Sequence, residues 1–77
     1  MLGKFYKHKE YHTFIKVEYI FEEYARGIGF YRNENDCVGS GDSSFEIKNI
    51  TNYNEITKSF FNEEFEKVKT EILERIN

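Results

Sequence analysis

The sequence predicts an α+β fold: a small antiparallel four-stranded meander followed by one C-terminal amphipathic helix packed on one face of the sheet. Three observations carry that expectation. Between residues 13 and 23, Ile15, Val17, Tyr19 and Phe21 recur at every second position, the period of a strand with one buried face. From Phe61 onward the rhythm changes, with Phe61, Phe65, Val68, Ile72 and Ile76 spaced four, three, four and four apart, as on the apolar stripe of a helix. The segments between the predicted strands are too short for parallel crossovers, so the strands run antiparallel.

Taken in order, residues 3–9 read as a first short strand, with Phe5 on one face and Tyr6 and His8 on the other. A turn near residues 10–12 leads into the long second strand. Ala25, Arg26 and Gly27 mark the next reversal, after which Ile28 and Phe30 alternate with Gly29 and Tyr31 in a third strand. Residues 33–44 contain nearly every turn-forming residue type and no periodicity, which predicts a loop. Phe45 and Ile47 restart the alternation in a fourth strand ending near Ile50, and Asn52, Tyr53 and Asn54 connect it to the helix. Thr57 is the expected N-cap, with Asn54 as the alternative, and the helix runs to about Ile76. Glu63 with Lys67 and Glu71 with Arg75 are spaced four apart in the stabilising orientation, each pair worth about 0.2–0.5 kcal/mol.

With 77 residues the chain is expected to form one domain, 1–77, that buries roughly 60 % of its unfolded surface. Stability is then marginal, and self-association is one remedy. A single cysteine, Cys37, excludes an internal disulfide and suggests a reducing, cytoplasmic setting. Residues 1–10 lack the apolar core of a secretory signal, and no apolar run approaches the roughly 20 residues of a membrane span. A net charge of −3 argues against sequence-independent binding to nucleic acid, which depends on Lys and Arg. The abundance of Glu, Phe, Ile, Lys, Asn and Tyr, with no Pro or Trp, suggests an AT-rich bacterial or phage source.

One helix covers one face of a sheet. If Phe5, Ile15, Val17, Tyr19, Phe21, Ile28, Phe30, Phe45 and Ile47 face it, the even-numbered face of the second strand, with Phe14, Ile20 and Tyr24, is left bare beside Tyr6 and Tyr31. So aromatic a surface suits an interface. Three readings stand: an interface between copies, a ligand or partner surface, or a bulge in the second strand that returns some of these residues to the core. The candidate binding residues are Tyr24, Arg26, Tyr31, Arg32, Phe14 and Ile20.

Residues 26–32, R-G-I-G-F-Y-R, resemble part of the RNP1 signature of RNA-recognition motifs in the basic residue, both glycines and the following Phe. Ile28 and Asn33 stand where that signature has aromatics, and the first half of the chain has no helical stretch, so glycines that permit a tight turn or a close backbone approach are the competing reading. Residues 39–44, G-S-G-D-S-S, could fold as an anion-binding nest but lack the Lys-Ser/Thr ending of a P-loop, and a flexible loop is the plainer reading. His8, Glu10 and His12 alternate but span a turn, and Cys37 with a histidine as base lacks an orienting third group and an oxyanion hole, so neither a metal site, a cofactor nor catalysis is expected.

The function expected is therefore non-enzymatic interaction with another protein. In size and composition the chain is similar to the accessory proteins, anti-CRISPR proteins among them, with which phages and mobile elements inhibit host defence. Glu18, Glu22, Glu23, Glu63, Glu64 and Glu66 would serve an acidic mimic of nucleic acid. The first alternative is a homo-oligomer that sequesters a nucleotide-like ligand, with Arg26, Arg32 or the bases among residues 4–16 on phosphate and Tyr24 or Tyr31 stacked on the base. The second is a weak RNA-binding module.

Overall fold

The computed structural model describes residues 1–33 and 37–77. It is an α+β fold: strands β1 (Phe5–His8), β2 (His12–Phe21), β3 (Tyr24–Arg32) and β4 (Val38–Glu46), a 3₁₀ helix (Ile47–Asn52), strand β5 (Tyr53–Ile56) and helix α1 (Lys58–Ile76). The expected meander of β1 to β4 is present, and β5 adds a fifth strand beside β1, giving the order β4-β3-β2-β1-β5 with every pairing antiparallel. No described helix is long and apolar enough to cross a membrane.

Besides β5, which takes up Tyr53 and Asn54 of the expected connection to the helix, three segments depart from the expected elements. The reversal after β2 falls on Glu22 and Glu23, with Glu22 in the left-handed region at φ 54°, and not on Ala25 to Gly27. The segment read as a loop is strand β4 from Val38 onward, and residues 34–36 of that segment lie outside the described residues. The Asn33 N–H donates to the Cys37 carbonyl (2.9 Å) and the Cys37 N–H to Asn33 Oδ1 (3.1 Å), which closes the β3–β4 hairpin. Finally, Ile47 and Ile50 do not continue a strand. They lie three apart on the 3₁₀ helix, a spacing that puts both on one side.

Both faces of the sheet are covered, by different elements. On one face Tyr6, Ile15, Val17, Ala25 and Phe45 are buried beneath Met1, Ile47, Ile50 and Tyr53. Phe45 of edge strand β4 stacks on Tyr53 of edge strand β5 with ring centroids 4.4 Å apart. In a flat sheet four strand spacings of about 4.8 Å would separate those edges by about 19 Å, so the sheet curls and brings opposite corners together. The six-residue 3₁₀ helix bridges those corners. On the other face Phe14, Phe30, Phe61 and Val68 are buried with Phe5, Val38, Ile56, Phe65 and Ile72 around them. Phe14 and Phe30, cross-strand partners, stack at 4.6 Å, and Phe61 and Phe65 of α1 close over Phe30 at 5.0 and 4.9 Å.

This arrangement corrects the expected division of faces. Helix α1 covers Phe14, which has no exposed surface, while Ile15 and Val17 point away from it. A bulge at Glu18 then divides the strand: Val17 pairs with Gly27 but Tyr19 with Arg26, so Glu18 is the extra residue. Beyond it the alternation inverts, and Tyr19 and Phe21 share the helix-side face with Phe14, not with Ile15 and Val17. The run Ile15-Val17-Tyr19-Phe21 is thus two half-faces. Gly27 and Gly29 permit the close crossing at this point, since a Cβ on Gly27 would stand 1.8 Å from the Lys16 carbonyl oxygen and one on Gly29 2.5 Å from that of Phe14. The glycines of R-G-I-G-F-Y-R serve a backbone approach within a strand, not a turn.

The helix begins where expected: Thr57 is the N-cap, its Oγ1 accepting from the Phe60 N–H at 3.1 Å. Phe61, Phe65, Val68 and Ile72 form the core-facing stripe, and Ile76 lies beyond it in solvent. Glu71 pairs with Arg75 at 2.9 Å as expected, whereas Lys67 meets Glu64 at 3.6 Å in place of Glu63. Gly27→Ala is expected to cost about 1–3 kcal/mol, the range for forcing extra atoms into packed structure. Glu22→Gly, by contrast, should stabilise by about 1 kcal/mol because it relieves a left-handed backbone at a side-chain-bearing residue. Urea midpoints by circular dichroism check both signs; equal effects of the two substitutions would count against the strand crossing and turn described.

Candidate functional site

Helix α1 covers only part of its own face. Ile56, Phe5, Lys16, Ile28 and Asp42 form one row across the sheet, and Thr57 turns the chain back immediately beyond that row. The helix then runs toward the far end of the sheet, where Glu64 lies 4.0 Å from His12 and Glu71 meets Arg32. The opposite end, built by the β2–β3 hairpin and the last residues of β4, is left bare on the helix side. Its two outer rows are Tyr19, Arg26 and Ser44, then Phe21, Tyr24 and Glu46.

That bare half-face is apolar and aromatic. Tyr19 is 51 % exposed, Phe21 54 % and Ile28 38 %. Arg26 lies across it, its guanidinium carbon 5.5 Å from the Phe21 ring centre and 5.6 Å from that of Tyr24. Such cation–π contacts contribute about 0.5–1 kcal/mol at exposed sites and, more to the point, hold the long side chain in one direction. Arg26 Nε is buried without a hydrogen-bond acceptor. Among the described residues no ion pair includes Arg26, and none includes the neighbouring carboxylates Glu18 and Asp42. Glu18, Tyr19, Arg26, Gly27, Asp42, Ser43 and Ser44 line a shallow dent on this part of the surface.

The six residues singled out from the sequence are dispersed. Tyr24 and Arg26 belong to the bare half-face; Ile20 and Tyr31 do not. Ile20 lies at the same end on the opposite face, paired with Ala25, because the bulge inverts its direction. Tyr31 is on that opposite face at the far end, its ring occupying the space a side chain on Gly39 would need. Arg32 is on the helix side and is held by Glu71, an ion contact without hydrogen-bond geometry at Oε2. Phe14 is interior. Tyr19, Phe21 and Ile28, which an unbroken alternation assigns to the covered face, stand on the bare one. The adjacent apolar pair Phe14-Ile15 is the signal that β2 is buried on both sides at its start, and hence that its rhythm need not continue unbroken.

A second depression, at the far end, is lined by Glu10, Tyr11, His12, Thr13, Tyr31, Arg32 and Asn33. Its His12 ring packs edge-on against Phe14 at 4.8 Å. Burial holds the His12 pKa below the ordinary histidine value; Glu64 opposes that effect, and Lys7, Arg32 and Lys67 add to it. His8 is separate, its Nδ1 accepting the N–H groups of Glu10 (3.1 Å) and Tyr11 (3.3 Å), so the residues of the alternating His-Glu-His set span the β1–β2 turn. No group of three or more potential metal-ligating side chains occurs among the described residues.

Because the folded-state pKa of His12 is lowered, the unfolded chain binds its proton first. The contribution of this group to stability is therefore complete above its unfolded value of about 6.5 and is lost as pH falls from there through the lowered folded value. His12→Gln should flatten the decline in urea midpoint between pH 7.5 and 5 relative to the parent chain; an unchanged difference between those pH values would refute the assignment. No protein-family model, no curated protein and no solved structure matches this chain.

Proposed function

We propose that this chain acts without catalysis, by binding a protein surface through the bare half-face of Tyr19, Phe21, Tyr24, Arg26 and Ile28. The observation that supports it most is the way helix α1 stops short of a contiguous aromatic patch with an arginine fixed across it. Tyr, Phe and Arg are the residues enriched at protein interfaces and their energetic centres, because each buries much area while keeping a polar or π-stacking group. Arg26, already oriented by two rings, loses little freedom when it meets an acceptor.

Phosphate-bearing ligands fit this face poorly. Glu18, Asp42 and Glu46 flank the one arginine, and Glu46 is itself paired with Lys48 at 3.1 Å. The alternative of a nucleotide-like ligand draws its support from the far depression, which Tyr31 and Arg32 both border; their projection to opposite faces and the engagement of Arg32 by Glu71 weigh against it. An inhibitor of a host defence protein is one form the proposed activity would take, on the chain's acidic composition, and the exposed unpaired Cys37 suits a reducing compartment such as the cytoplasm.

The triple variant Tyr19→Ser, Phe21→Ser, Ile28→Thr tests the reading. It should keep its circular dichroism spectrum, since none of the three belongs to either buried cluster. Hydrogen exchange of residues 19–28 in the parent chain should slow in the bound state, and the variant should lose both binding and that protection. Binding retained by a folded variant would refute the proposal. In thermal-shift assays nucleoside mono- and diphosphates should leave the melting temperature unchanged; a strong rise with one of them would favour the depression at Tyr31 and Arg32 instead.

A further inference from the structure

We infer that the occupant of the bare half-face is a second copy of this chain, docked face to face about a two-fold axis that sets Arg26 of each protomer against the partner's Asp42. This rests on the reading of that half-face as a contact surface and names its partner.

The charges carry the inference. Arg26 and Asp42 lie on the same face of adjacent strands, one row apart: Arg26 is opposite Ser44, and Asp42 is opposite Ile28. Diagonal neighbours of this kind are about 7–8 Å apart, within reach of an arginine side chain. Yet they do not pair, because the guanidinium is stacked over Phe21 and Tyr24, toward the hairpin tip and away from Asp42. The face thus presents Arg26 without an anion and, beside it, Asp42 without a cation; Lys16, two strands from Asp42 in the same row, is directed over the Phe5 ring, its Nζ 5.9 Å from the ring centre. A two-fold axis lying between two such faces, midway between the two charges, exchanges their positions. Each arginine then meets a carboxylate, twice per dimer, while the exposed rings of Tyr19 and Phe21 and the side chain of Ile28 are buried between the copies. Isologous contacts of this sort are the commonest form of protein association, and they require a patch that complements itself. A chain this small also gains in stability from burying a further apolar surface.

Charge reversal with complementation tests the geometry. Arg26→Glu places two carboxylates at each contact and Asp42→Arg two cations, so each variant alone should dimerise roughly ten-fold or more weakly than the parent chain. An equimolar mixture of the two should regain association, because Glu at 26 in one copy faces Arg at 42 in the other, and the unaltered Asp42 and Arg26 meet at the second contact. Sedimentation equilibrium over a wide concentration range reads all four samples. Circular dichroism confirms folding, and Asp42→Lys replaces Asp42→Arg if that variant does not fold. A parent chain that stays monomeric overturns the inference, as do dimers indifferent to either reversal or single variants that mixing does not rescue. The broader reading fails separately: if the Phe21→Ser variant still binds every protein the parent chain binds, and residues 19–28 are never protected, the face is not a contact surface at all.

Discussion

The close crossing of β2 over β3 is the constraint on which the rest of this structure depends. Where Gly27 passes the Lys16 carbonyl and Gly29 that of Phe14, no side chain fits, and the two strands approach more closely than residues with a Cβ would allow. The sheet can therefore bend sharply at its middle. The bend brings the ends of β4 and β5 near enough for Phe45 and Tyr53 to stack, which lets six residues of 3₁₀ helix close one face. It also divides the second face into a half that α1 covers and a half it does not. Each half has its own chemistry: stacked phenylalanines under the helix, and an arginine on aromatic rings beyond it.

Two cores in so short a chain demand economy in the elements that cover them. Helix α1 runs from Thr57 away from the hairpin tip, and the 3₁₀ helix closes the opposite face, so neither shields the helix side of the tip. Opposite-sign pairs secure α1 at its working end, where Glu71 bridges Arg32 and Arg75 and where Glu64 meets Lys67. At the tip there is no corresponding network among the described residues. Charged groups there are left available to something outside the chain, and the apolar groups beside them are left wet.

How much of this was legible in the sequence varied with the kind of signal. The helix was readable because its stripe and its cap are local: Thr57 can cap only the turn that starts beside it, and Phe61, Phe65, Val68 and Ile72 can share only one face. Strand β4 was not readable, because an edge strand held chiefly by main-chain hydrogen bonds can be built from Gly-Ser-Gly-Asp-Ser-Ser, with only Val38 and Phe45 contributing to the cores. The β2–β3 turn was misplaced because the turn-forming glycine, Gly27, is used inside a strand, while two glutamates make the reversal. The candidate site was half legible. Tyr24 and Arg26 were found, but alternation alone puts Phe14 at the surface and Tyr19 and Phe21 in the core, since a period of two carries no mark of the position at which a strand slips by one residue.

That extra residue has an evolutionary side. Val17 pairs with Gly27 and Tyr19 with Arg26, the next residue of β3, so loss of the Glu18 codon would remove the bulge and leave Tyr19 and Phe21 beside Arg26 and Tyr24. The length of β2 is therefore free to vary by one residue at this point without rebuilding the patch, a tolerance that an unbulged strand, in which every inserted or deleted residue turns the following side chains over, does not have.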